Sequence, residues 1–145
     1  MKRNMERKPT LLMMKGLPLS GKTEWAEKWV AKGRNRVRVS WTDIMRSCGR
    51  KSRDRRLLAF ETATHLMVQA MKRGCDVVLD ECNLNPTTFS IFMARASMLG
   101  ARVEWHTMDV SLDEVKRRNA RLGHPVDDME LERLVHDHGI WLKQK

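Results

Sequence analysis

Residues 16–23, Gly-Leu-Pro-Leu-Ser-Gly-Lys-Thr, constrain this chain more than any other stretch. They match the spacing Gly-x-x-x-x-Gly-Lys-Thr. They lie between an apolar run, Leu11-Leu12-Met13-Met14-Lys15, and a helical pattern over residues 22–32. A strand that feeds a glycine-bearing turn and opens directly into a helix is suited to an anion. Gly16 and Gly21 let the backbone wrap closely around phosphate oxygens, and the N–H groups of the loop add to the positive end of the helix. Within this loop, formed also by Leu17, Pro18, Leu19 and Ser20, Lys22 supplies a cation for the β- and γ-phosphates and Thr23 a hydroxyl for Mg²⁺. The competing reading is a mere strand-to-helix turn. The strand before it and the amphipathic helix after it weigh against that.

The rest of the chain alternates between strand and helix patterns. Trp25, Ala26, Trp29 and Val30 mark one face of the first helix, with Gly33 as its stop. Residues 36–40, Arg-Val-Arg-Val-Ser, alternate like a strand, and Thr42 is a plausible N-cap for a short helix through Met45 and Arg46. Residues 48–54 read as a loop. A helix is expected over 56–73, with a stripe through Phe60, Ala63, Met67, Ala70 and Met71, closed by Gly74. Residues 76–80 read as a buried strand. A helix follows from Asn85-Pro86 to Leu99, then a strand over 102–108, a helix from Ser111 to about Leu122 and a last helix over about 127–142. Strands alternating with helices imply βαβ units and a parallel sheet covered on both faces. The expected fold class is α/β, a P-loop NTPase or kinase-like three-layer fold with a central parallel sheet of about four strands. One domain is expected over residues 1–145, with a basic segment at 1–10.

Three further groups carry chemistry. Asp80 ends Val77-Val78-Leu79, which in a parallel sheet puts a carboxylate at the carboxyl edge beside the loop, where it can help hold a metal with Thr23. Capping of the following turn is the competing reading, and Glu81 could share the role. Asp43 and Arg46 follow the second strand and fall on one helical face. A carboxylate there can accept a proton from an attacking hydroxyl, and an arginine beside it can hold an acceptor phosphate. The same spacing also suits an ordinary ion pair. Arg117, Arg118 and Arg121 lie between the fourth strand and the last helix, where small P-loop kinases carry a lid whose arginines neutralise the transferring phosphoryl group; without the Gly-x-x-x-x-Gly-Lys-Thr loop they would read as a solvated helix face.

Composition narrows the setting. The formal charge is +10, and residues 46–56 hold six Lys or Arg against Asp54 alone, so a polyanionic partner competes evenly with a generally basic surface. Cys48, Cys75 and Cys82 form no Cys-x-x-Cys pair, which argues against a zinc site or a disulfide framework and suits a reducing cytoplasm. His136 and His138 around Asp137 read as a solvated helix end rather than a metal site. No apolar run approaches the roughly 20 residues a membrane span needs, and the N-terminus lacks a signal-peptide core. The expected location is the cytoplasm, away from any membrane.

Taken together, Gly-Lys-Thr-x-Trp-Ala at 21–26, Asp-x-x-Arg at 43–46, Asp-x-Cys-Asn-Leu-Asn-Pro at 80–86 and Arg118-Asn119 resemble the phage-type polynucleotide 5′-kinase domain over residues 11–142. The resemblance implies transfer of the γ-phosphate of ATP, or another NTP, with Mg²⁺ to a 5′-hydroxyl end of DNA or RNA, in a kinase domain without the phosphatase domain that often accompanies it. It implies that Lys22 and Thr23 bind ATP and Mg²⁺, that Asp43 is the general base and that Arg46 contacts the acceptor phosphate. Asp80 would organise the metal, Arg117 and Arg118 would join the ATP-binding residues, and a lid arginine would contact the transferring phosphate. Departures stand out too. Leu19 occupies a position where glycine is common, Thr42 one where arginine often precedes the aspartate, and Leu122 the place four beyond Arg118, which moves the expected catalytic lid cation to Arg121. The alternatives are a P-loop kinase of a small metabolite, a nucleoside or a hydroxylated DNA base, and a nucleotide-dependent nucleic-acid-binding module. A binding module needs no base, so the Asp43–Arg46 pair speaks against it.

Overall fold

The computed structural model describes residues 8–123, together with 125, 127, 129–133 and 136. Four strands, β1 (Thr10–Lys15), β2 (Arg36–Val39), β3 (Asp76–Leu79) and β4 (Arg102–Thr107), form one sheet in the order β2-β3-β1-β4, with every pairing parallel. Among the described residues, α1 (Lys22–Ala31), α2 (Trp41–Ser47), α3 (Arg53–Lys72) and α4 (Pro86–Met98) connect the strands, and α5 (Leu112–Ala120) follows β4. The expected α/β architecture, a P-loop kinase-like fold around four parallel strands, is the one observed.

Alternation along the inner strands divides the core into two layers. Leu11, Met13, Val77, Leu79 and Val39 face α3 and α4, where Ala63, Met67, Phe92 and Ala96 cover them. Leu12, Met14 and Val78 face the opposite side and meet Ala26, Trp25 and Trp29 of α1. The residues of β1 and β3 are buried almost throughout, as strands covered on both faces require. Lys15 is the exception in kind: it is fully buried at the end of β1, with the rings of Trp105 and Phe89 at 5.6 and 6.0 Å.

Two helix starts differ from expectation. Ser40, not Thr42, caps α2, its hydroxyl accepting from the Asp43 N–H at 3.1 Å, because the chain leaves β2 in an extended conformation that only Ser40 retains. Likewise Ser52 accepts from the Arg55 N–H at 3.1 Å and starts α3 at Arg53, inside the stretch expected to be loop. Part of the basic run is therefore displayed on the first turns of a helix. Residues 129–133 and 136 are helical, and Leu131 packs with Leu17 and Val115 in a small third cluster. The remaining residues of the helix expected over 127–142, including Asp137 and His138, and residues 1–7 of the N-terminal segment lie outside the described residues.

Candidate active site

The loop at 16–21 runs from the end of β1 into α1. Gly16 is closely packed: a Cβ there would lie 2.9 Å from the Ser20 hydroxyl and 3.0 Å from Met108 Cβ, so both neighbours would have to shift. Gly21 precedes α1 with φ 91°, a left-handed conformation that glycine adopts without strain. Leu19, at a position where glycine is common in such loops, also has a positive φ, 64°. Its side chain packs on the Leu17–Val115–Leu131 cluster, and its carbonyl accepts from Arg118 Nη1 at 2.7 Å. Contacts to α5 hold in place a backbone that leucine adopts at a cost. Lys22 is nearly buried, and its Nζ donates to the carbonyls of Gly16 at 3.1 Å and Leu17 at 2.7 Å and toward Cys82 Sγ at 3.4 Å. Burial pushes the Cys82 thiol up, against the opposing pull of the Lys22 ammonium.

A continuous polar chain leads away from this loop. Thr23 Oγ1 donates to Asp80 Oδ2 at 2.8 Å, bringing the loop hydroxyl and the strand-end carboxylate together as their positions suggested. Arg38, near the carboxyl end of β2, donates to the same Asp80 oxygen through Nε at 2.8 Å and Nη2 at 2.7 Å, while its Nη1 reaches Asp43 Oδ2 at 2.7 Å. Burial alone lowers the Arg38 pKa, but the two carboxylates outweigh it and raise it above its ordinary value, so the guanidinium stays charged. Arg46 Nη1 pairs with the other Asp43 oxygen at 3.2 Å and is otherwise largely exposed. One path of contacts thus joins the phosphate loop, Asp80, Asp43 and Arg46.

Sequence reasoning missed Arg38. The available signal was the alternation Arg36-Val37-Arg38-Val39: the valines belong to the core on the α3–α4 side, and Arg38 pairs in register with Val78, which faces α1. Such an arginine at the carboxyl end of a strand is aimed at the ligand edge of the sheet. Its companion Arg36 does something else, lying over the Trp29 ring at 4.2 Å and donating to the Trp29 carbonyl. Glu81, which could share the role of Asp80, accepts from the Thr42 N–H at 2.8 Å and the Thr42 hydroxyl at 3.0 Å. Burial, together with the neighbouring Asp80, raises the Glu81 pKa despite those bonds. Asn83, with φ 53°, donates to the Met14 carbonyl at 2.5 Å, tying the turn after β3 to the end of β1. Asn83 of the Asn-Leu-Asn-Pro tetrad thus braces the turn that follows Asp80, while Asn85 caps α4 through the Thr87 N–H at 3.0 Å.

Arg117, Arg118 and Arg121 separate by environment. Arg118 reaches the loop through Leu19 and pairs with Glu114 at 3.0 Å. Arg117 holds the other Glu114 oxygen through two nitrogens, at 3.0 and 2.6 Å, and these bonds keep the Glu114 carboxyl below its ordinary range. Arg121 follows α5 at its C-terminal end and is exposed.

The family model described as an AAA domain matches residues 11–140. This chain belongs to that family. The loop, Asp80, Asp43, Arg117, Arg118 and Arg121 all fall within the matched AAA domain. A chain solved in the Pnkp1/Rnl/Hen1 RNA repair complex superposes with a TM-score of 0.87 at 18% identity, over 98% of this chain and 48% of that one. A second structure of the Pnkp1/Rnl/Hen1 complex gives 0.72 at 19% identity, over 88% and 44%. The APS kinase CysC of Mycobacterium tuberculosis, solved with AMPPNP and APS, gives 0.61 at 16% identity, over 79% and 70%. The AAA domain chain spans a little under half the length of the first two. At these identities the likeness establishes the fold. No curated protein matches by sequence. Among the described residues, no helix is long and apolar enough to cross a membrane.

Proposed function

We propose that this protein transfers the γ-phosphate of ATP to the 5′-hydroxyl end of DNA or RNA. The observation that carries the reading is the contact path Thr23–Asp80–Arg38–Asp43–Arg46, which connects a phosphate-binding loop to an exposed carboxylate–arginine pair. Loop N–H groups and Lys22 bind the β- and γ-phosphates. Asp43 takes the proton of the attacking hydroxyl as the O–P bond forms and the bond from Pγ to the bridging oxygen breaks, releasing ADP. Arg46 holds the 3′-phosphate of the acceptor and orients its hydroxyl for in-line attack. Arg121 is assigned to the transferring phosphoryl group, because Arg117 and Arg118 are engaged with Glu114.

A divalent cation suits the site. Thr23 and Asp80 present a hydroxyl and a carboxylate 2.8 Å apart, a hard oxygen set, and the same carboxylate oxygen already attracts the Arg38 guanidinium. Thr23 and Asp80 would hold Mg²⁺, whose chemistry is neutralisation of phosphate charge. The deciding experiment compares kcat/KM for a nucleoside, its 3′-monophosphate and a short oligonucleotide, in wild type and Arg46→Ala. The phosphorylated acceptors should be better by at least ~10-fold, as loss of a charge-assisted contact implies, and Arg46→Ala should erode the difference. Equal use of all three acceptors would replace this reading with a small-molecule kinase.

A further inference from the structure

Where α2, α3 and α4 meet, Trp41, Phe60, Leu57 and Ile91 line an open cavity of about 270 Å³, with Arg53 and Arg56 on its wall. It is an unusual use of surface. Leu57 and Ile91 are 49% and 38% exposed, and neither belongs to the main core cluster. The cavity adjoins the candidate site through α2: Trp41 opens the helix turn that carries Asp43. Thr87 and Thr88, at the start of α4, complete its wall at the carboxyl edge of the sheet.

We propose that this cavity is a nucleobase subsite for the acceptor strand, taking one base among the first nucleotides from the 5′ end. The inference rests on the polynucleotide reading and extends it beyond the Asp43–Arg46 pair. An apolar, aromatic-walled hollow near the lower end of ligand-pocket sizes suits one planar ring system and not a whole nucleotide. Bases with splayed-out faces are held by aromatic and guanidinium planes, and the adjoining phosphates by arginine. Charge complementarity selects the occupant. Arg53 and Arg56 contribute to the cationic run that begins at Arg46, which an uncharged peptide would not need. A bilayer would call for a flat apolar face, whereas this one is concave.

The test uses 5′-hydroxyl oligonucleotides carrying one abasic residue at position one, two or three from the 5′ end, with wild type and Leu57→Ser/Ile91→Ser. Both replaced side chains are exposed, and thermal melting verifies the fold of the variant. At one of the three positions, loss of the base should raise the wild-type acceptor KM roughly tenfold or more, the scale of one base–aromatic stack. The double variant should shrink that discrimination to below about threefold while leaving kcat on the abasic acceptor unchanged. Wild-type indifference to the base at all three positions would overturn the subsite while sparing polynucleotide kinase activity. Discrimination that persists in the double variant would overturn it too. If no oligonucleotide is phosphorylated, the proposed function fails, and fluorescence anisotropy of the same labelled strands decides the subsite separately: base-dependent binding weakened by the double variant supports it, and its absence refutes it. Leu57→Ser/Ile91→Ser weakening attachment to anionic phospholipid vesicles, with oligonucleotide binding intact, would assign the surface to membranes and overturn the inference.

Discussion

Replacing Arg38 with methionine removes the cation that joins Asp80 to Asp43 while keeping an unbranched side chain of similar reach. Three close contacts disappear, two to Asp80 Oδ2 and one to Asp43 Oδ2. The two carboxylates do not count equally. Asp80 is only 3% exposed, so its charge is left in a poorly solvated place with the Thr23 hydroxyl as remaining donor, whereas Asp43 is 44% exposed and water replaces much of what it loses. Breaking a buried ion pair costs about 3–5 kcal/mol, and an exposed one about 0–1. The residual Thr23 bond and the partial exposure of Arg38 put the expected loss near the low end, about 3 kcal/mol. In a chain of this length that corresponds to a Tm lower by roughly 10 °C. Chemical and thermal denaturation in a chelator should show this loss, and millimolar Mg²⁺ should restore part of it by supplying another positive charge to Asp80. A loss below ~1 kcal/mol in the chelator would place the bridge in the surface class of ion pairs and refute the argument that Asp80 depends on it.

Lys22→Ala should reduce phosphoryl transfer by at least ~10²-fold, the scale for removing a preorganised charge contact, and near-normal turnover by the folded variant would refute ATP binding at this loop. Arg121→Ala should slow turnover more than Arg117→Ala, because Glu114 already holds Arg117 through two bonds; equal, small effects in steady-state assays would place the lid cation elsewhere. For Glu81 the folded pKa is raised above the usual value near 4.5, so the native state binds more protons than the unfolded state and stability falls as pH rises from about 4.5 through the folded pKa. Glu81→Gln keeps an acceptor for Thr42 and should flatten that part of the stability–pH curve; an unchanged slope in urea titrations would show that burial does not govern this carboxyl.

Much of this protein was legible in its one-dimensional pattern because the relevant physics is local. The Gly-x-x-x-x-Gly-Lys-Thr spacing, the apolar run before it and the strand-end position of Asp80 determine a phosphate loop facing a carboxylate, since parallel strands put their carboxyl ends on one edge. Asp43 and Arg46 meet for an equally local reason, one helical turn. What only the tertiary structure decided involves partners far apart in sequence. Arg38 bonds across 42 positions to Asp80, Asn83 across 69 to Met14, and Arg118 across 99 to Leu19. No periodicity carries such pairings, because they depend on which strands become neighbours and on which side chain reaches a given gap. The alternation in β2 specified the face on which Arg38 lies, but its two carboxylate partners depend on the pairing of β3 beside β2 and on the course of α2 as it leaves β2. Leu19 shows the same division: its sequence position marked a departure from glycine, and packing against Val115 and Leu131 supplied the reason leucine is held there.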